Sequence, residues 1–117
     1  MDFKTFDSLV VPADSSAAAQ IAKALPEASV VKGFNTTFAA NLNTGLVAGK
    51  VQTTVLLASD SKEAKEAVAK ALAGSGLAII DAGSLKRARE LEAMGFLQIA
   101  LAAAGKIGWT GGFGILR

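Results

Sequence analysis

Apolar and polar positions along the chain fall into blocks that switch between strand-like and helix-like spacing. Leu9, Val10 and Val11 follow polar residues and precede Pro12, which cannot donate to a sheet ladder, so Met1 to about Pro12 reads as a short strand or an extended arm. Asp14, Ser15 and Ser16 offer caps for an alanine-rich helix through Gln20, Ile21 and Leu25, ended by Pro26. Val30 to Phe34 is a short apolar run enclosing Lys32, expected as a buried strand that leads through Asn35-Thr36-Thr37 into a short helix ending near Leu42. A loop through Gly49 and Lys50 precedes Thr53 to Ala58, whose β-branched and apolar residues predict a second buried strand. From Ser61 to about Ala73, Ala64, Val68, Ala71 and Leu72 recur at helical spacing, and Asp60 with Glu63 has a loose capping-box spacing. Gly74-Ser75-Gly76 stops that helix, Leu77 to Ile80 supplies a third strand, and Asp81 to Ser84 turns into a long helix starting near Leu85.

Strand, helix, strand, helix, strand, helix is the βαβ alternation. The predicted architecture is therefore α/β and three-layered, a partial Rossmann-like fold. Its short parallel sheet has about three strands, with possible edge strands and flanking helices. One domain is expected over residues 1–117. The last helix is amphipathic from Lys86 to Glu92 and apolar on all sides from Ala93 to Ala104, a pattern that predicts burial in a subunit or domain interface. That stretch is far shorter than the roughly 20 residues needed to span a bilayer, so no membrane contact is expected. The tail from Gly105 to Arg117 holds five glycines with Trp109 and Phe113, and reads as a turn plus an edge strand.

Composition removes several chemistries. The chain has no Cys, His or Tyr, which excludes the usual zinc sites, thiol nucleophiles, disulfides and histidine-based triads. The net charge is only +2, and the basic residues are interleaved with acidic ones, so no nucleic-acid-tracking stripe is expected. The N-terminal residues lack the basic start and continuous apolar core of a secretory signal, which places the expected location in the cytoplasm.

Ligands of parallel α/β sheets bind beyond the carboxyl ends of the strands. That directs attention to Asn35-Thr36, Ser59-Asp60 and Asp81-Gly83-Ser84, each ahead of a helix where backbone N–H groups favour an anion or a ring carbonyl. Ordinary caps and turns use the same residue types, so both readings stand here. Gly83 suggests a positive φ, and Lys32 inside an apolar strand suggests either a snorkelling stem or a ligand contact. Glu90 and Glu92 with Arg87 and Arg89 read as solvated pairs. No G-x-G-x-x-G follows a predicted strand, and no Walker loop is present.

Three runs carry a resemblance: Val30-Val31-Lys32-Gly33-Phe34-Asn35-Thr36, Val55-Leu56-Leu57-Ala58-Ser59-Asp60, and Asp81-Ala82-Gly83-Ser84-Leu85 with Ala88-Arg89-Glu90-Leu91-Glu92. Together they resemble the C-terminal half of the NADP oxidoreductases that depend on the deazaflavin coenzyme F420, a family similar in turn to the reductase domain of Steap metalloreductases. The resemblance runs from about Leu9 to the end. It implies that the Rossmann half bearing the glycine fingerprint for NADPH lies outside these residues, and that Asn35, Thr36, Asp81, Gly83, Ser84 and Leu85 lie near a deazaflavin or flavin ring facing the nicotinamide of NADP. It further implies that these residues alone are not catalytic, and that they survive either as an oligomeric module or as a half complementing a separate Rossmann partner. Gly33 stands where the family commonly has alanine, implying a slightly looser strand. With its sheet neighbour missing, the Val30 to Phe34 strand is expected to expose a hydrophobic edge and, with the Ala93 to Ala104 helix, to form a homodimer.

Overall fold

A computed structural model describes residues 11–12 and 14–117, so the strand or arm expected from Met1 to Pro12 falls almost wholly outside the described residues. Helix α1 spans Ala17–Ala24 and is capped by the buried Ser16, whose hydroxyl accepts from the Ala19 N–H at 2.9 Å. Helix α2 (Ala39–Thr44) ends at Gly45, which supplies the left-handed φ of 76° that closes the helix. The loop expected at Gly49 and Lys50 is instead the turn of a hairpin, in which β1 (Leu46–Val47) pairs antiparallel with β2 (Val51–Gln52). Ala48 and Gly49 both take positive φ, at 51° and 69°, as a tight hairpin requires. Strands of two residues are too short to leave a period in the sequence.

The strands read at Thr53 to Ala58 and Leu77 to Ile80 form β3 (Thr54–Ala58) and β4 (Ala78–Gly83). They pair parallel, from Thr54 opposite Ala78 to Leu57 opposite Asp81, and a bulge then sets Ala58 opposite Gly83. Helix α3 (Lys62–Ala71) makes the crossover that a parallel pair needs. The molecule is thus mixed α/β, with a small parallel sheet flanked by helices, as the alternation of elements predicts. Val55, Leu57 and Ala58 are almost fully buried. Ala18, Leu85 and Ala88 form a second cluster, against which Ala22 and Val30 pack.

The third expected strand is reduced and runs the other way. Within Val30 to Phe34, Lys32 alone pairs with the sheet, in a single antiparallel bridge to Ala58 with reciprocal N–H···O contacts of 2.8 and 2.9 Å. Phe34 then leaves extended geometry at φ 65°, which ends any ladder. Gly33 is not slack: a Cβ there would lie 2.6 Å from Leu57 Cδ2, so the glycine permits a close approach to β3. Antiparallel pairing puts Val30 at the carboxyl end of β3, where the Ser59 hydroxyl donates to the Val30 carbonyl at 2.7 Å. Asn35 and Thr36 are carried toward the opposite end.

A 3-10 turn at Leu85–Arg87 leads into α4 (Ala88–Ala103). Leu91, Gly95, Gln98 and Ala102 are buried, whereas Ala93, Leu97 and Ala104 are exposed, so the apolar segment has one covered face and one open face among the described residues. The expected tail strand is absent. The glycine-rich chain instead folds back as coil: Asn41 Nδ2 donates to the Gly111 carbonyl at 2.8 Å, the Ala48 N–H donates to Thr110 at 2.7 Å, and Trp109 tilts over Phe38 at 5.2 Å. No helix among the described residues is long and apolar enough to cross a membrane.

Candidate functional site

The end of β4 and the turn that follows it are held from two sides, and β4 continues through Gly83 where a turn from Asp81 was expected. Lys65 of α3 reaches Asp81 Oδ1 at 2.7 Å and the Gly83 carbonyl at 3.0 Å, and the Gly83 N–H donates to the same carboxylate oxygen at 2.8 Å. Gly83 takes φ 115°, a conformation that side-chain-bearing residues rarely adopt, as the sequence suggests. The Lys65 hydrogen bond, followed by that from Gly83, holds the Asp81 carboxyl below its ordinary pKa of 3.8. It is therefore anionic at neutral pH and unsuited to general-acid work. From the other side, Asp60 Oδ1 accepts the Leu85 N–H at 3.1 Å. The capping-box spacing of Asp60 with Glu63 is not used. Ser61 caps α3 by accepting from the Ala64 N–H, which leaves Asp60 for the turn that opens α4. Asp81 and Ser84 face solvent, while Leu85 is buried.

Asn35 and Thr36 occupy different ground. Asn35 Nδ2 donates to the Leu91 carbonyl of α4 at 2.9 Å, and its Oδ1 is buried with no partner among the described residues. Gly95 is what allows this contact, because a Cβ there would lie 2.7 Å from both Asn35 Nδ2 and the Asn35 carbonyl oxygen. Thr36 is only 6% exposed. Leu85 lines a cavity beside Ser59, Asp60 and Ser61, whereas Asp81 borders a groove with Lys62, Lys65 and Ile79. Neither space is lined by Asn35 or Thr36. In the sequence all these positions fall at expected strand ends on one side of a parallel sheet. The antiparallel bridge at Lys32 instead separates Asn35 and Thr36 from the Asp81 to Leu85 turn.

Sequence reasoning missed Lys65 as the tether of that turn. It also misread Glu92, which is not part of a solvated arginine pair. Its carboxylate accepts the Ala17 and Ala18 N–H groups at 2.6 and 3.1 Å, and lies 3.8 Å from Lys32 Nζ. A residue 75 positions away thus completes the N-terminus of α1. No local spacing could have revealed that contact. Lys32 is explained by the same ion pair, with its stem in the fold and 21% of its side chain exposed. Glu90 does behave as expected, pairing with Arg87 at 2.9 Å and lying 3.7 Å from Arg89. No cluster of three or more potential metal ligands occurs among the described residues.

Among solved structures, a proposed F420-dependent NADP reductase from Arthrobacter sp. FB24 superposes on this chain with a TM-score of 0.80 at 31% sequence identity. The likeness covers 94% of this chain and 50% of that one. The two are alike in fold and in sequence. This chain spans half the length of the reductase it matches, and the α/β arrangement described above is common to both over that half. No protein-family model and no curated protein matches the chain.

Proposed function

We propose that these residues form the C-terminal half of a deazaflavin- or flavin-linked NADP oxidoreductase, a cytoplasmic protein in which they supply one wall of the cofactor site. The observation that carries this reading is the 31% identity to the Arthrobacter reductase over 94% of the chain. Such a cofactor pair, when bound, supplies hydride transfer, and the protein's part is to position two rings face to face. The residues on hand suit that part. Asn35 is anchored to α4 through the Leu91 carbonyl, which fixes the segment that carries it and Thr36. The end of β4 and the Ser84–Leu85 turn after it are pinned by Lys65 and Asp60, which holds Asp81, Gly83 and Ser84 in place. Asn35 and Thr36 lie toward the other end of β3, so the two groups serve different parts of the bound pair.

By themselves these residues carry no glycine fingerprint for NADP and are not catalytic. They require a Rossmann half, in the same chain or a separate one. Co-expression with a half bearing G-x-G-x-x-G tests this: NADPH oxidation appears in the presence of the deazaflavin coenzyme or FMN, and its absence from a folded complex refutes the assignment. The open face of α4 at Ala93, Leu97 and Ala104, together with Phe34 at 39% exposure, supports association as a homodimer through α4 and the Val30 to Phe34 segment.

A further inference from the structure

The cavity that Leu85 shares with Ser59, Asp60 and Ser61 has a volume of about 310 Å³. It is walled by Ala22 and Pro26 at the end of α1 and by Ser29 and Val30 on the segment entering the bridge. It opens where β3 and β4 end, the crevice in which open α/β sheets take ligands, and its size is at the small end of ligand sites.

Its polar groups have a definite donor and acceptor balance. The Ser59 hydroxyl is spent, donating to the Val30 carbonyl and accepting from the Ser61 N–H at 3.1 Å. The Ser61 hydroxyl accepts from the Ala64 N–H and keeps its own proton to donate. Asp60 gives Oδ1 to the Leu85 N–H, leaving Oδ2 as an acceptor. Among the described residues no cationic side chain lines the space. A phosphate or carboxylate there would meet the Asp60 carboxylate, with only the N–H groups that open α3 to offset the repulsion, whereas hydroxyl groups supply the donors that a carboxylate needs. Pro26, Val30 and Leu85 match the C–H faces of a sugar.

We propose that this cavity binds a neutral polyol of the ribose class, with adjacent hydroxyls donating to Asp60 Oδ2 and accepting from Ser61. The site stands apart from the proposed redox role, since it needs neither a flavin ring nor NADP. The test is titration of the ¹⁵N-labelled full chain with D-ribose, ribitol, 2-deoxy-D-ribose and inorganic phosphate, followed by amide shifts. D-ribose and ribitol are expected to saturate in the millimolar range, moving the amides of Ser29, Ser61 and Leu85, with 2-deoxy-D-ribose at least tenfold weaker and phosphate without effect. Asp60→Asn retains one acceptor oxygen for the Leu85 N–H and is expected to lose at least tenfold in ribose affinity. Ser29→Val lies outside every helix and strand, narrows the cavity, and is expected to weaken binding too. Absence of saturable shifts with ribose and ribitol, equal binding of the deoxy sugar, tighter binding of phosphate, or unchanged affinity in both variants overturns the proposal.

Discussion

Substituting Gly95 by alanine sets two effects of opposite sign against each other. In an open helix position the change stabilises by about 1 kcal/mol, because alanine is the better helix former. At Gly95 the new methyl would lie 2.7 Å from the Asn35 carbonyl oxygen, a backbone atom that cannot rotate away. Overpacking of this kind costs about 1–3 kcal/mol. Displacing Asn35 also lengthens its 2.9 Å hydrogen bond to the Leu91 carbonyl, worth about 1 kcal/mol. The penalties exceed the gain, so Gly95→Ala is expected to destabilise by about 1–3 kcal/mol. For a domain of this size that corresponds to a fall in Tm of about 4–12 °C. The assay is thermal unfolding followed by circular dichroism, with urea unfolding as a second probe. Ala93→Gly, on the exposed face of the same helix, serves as a control that loses only the helix-propensity term of about 1 kcal/mol. A Gly95→Ala protein with an unchanged or raised Tm refutes the contact between Asn35 and α4.

Three further outcomes follow from the same geometry. Glu92→Ala leaves the first two N–H groups of α1 without their acceptor and is expected to cost about 1–2 kcal/mol in urea unfolding, with Glu92→Gln losing less; equal stability of all three proteins contradicts the capping role. Because Lys65 and Gly83 depress the folded pKa of Asp81 below 3.8, its stabilising contribution is complete above that value and disappears as pH falls through the folded pKa. The Tm gap between wild type and Asp81→Asn should therefore close on acidification below pH 3.8, and a gap that widens there contradicts the tether. Leu97→Glu charges the open face of α4 and is expected to turn a dimer into a monomer by light scattering, whereas a wild-type monomer at micromolar concentration refutes the association.

Much of the fold was legible because its elements carry strong local signals. Continuous β-branched runs gave β3, Ser61 and helical spacing gave α3, and Gly83 gave its positive φ, although β4 runs on through Gly83 where a turn from Asp81 was expected. The direction of the Val30 to Phe34 segment was not legible, since an apolar run reads the same in either orientation and only the long-range bridge of Lys32 to Ala58 decides it. That one unread fact explains why residues grouped by the strand-end rule lie on separate ground in the structure. Glu92 and Lys65 were missed for a related reason: each acts on backbone groups of another element, and nothing beside it in the sequence marks the partner. The hairpin around Ala48 and Gly49 escaped because a non-glycine residue occupies one of its two positive-φ positions.

The central claim, a half-site for a redox ring, is tested most directly by fluorescence titration of the purified chain with the deazaflavin coenzyme, FMN, FAD and NADPH in turn. The account predicts saturable micromolar binding of a flavin-type ring, weakened by Asp81→Ala, with no comparable binding of NADPH by these residues alone. Failure of all three ring cofactors to bind, by a chain that circular dichroism shows to be folded, contradicts it.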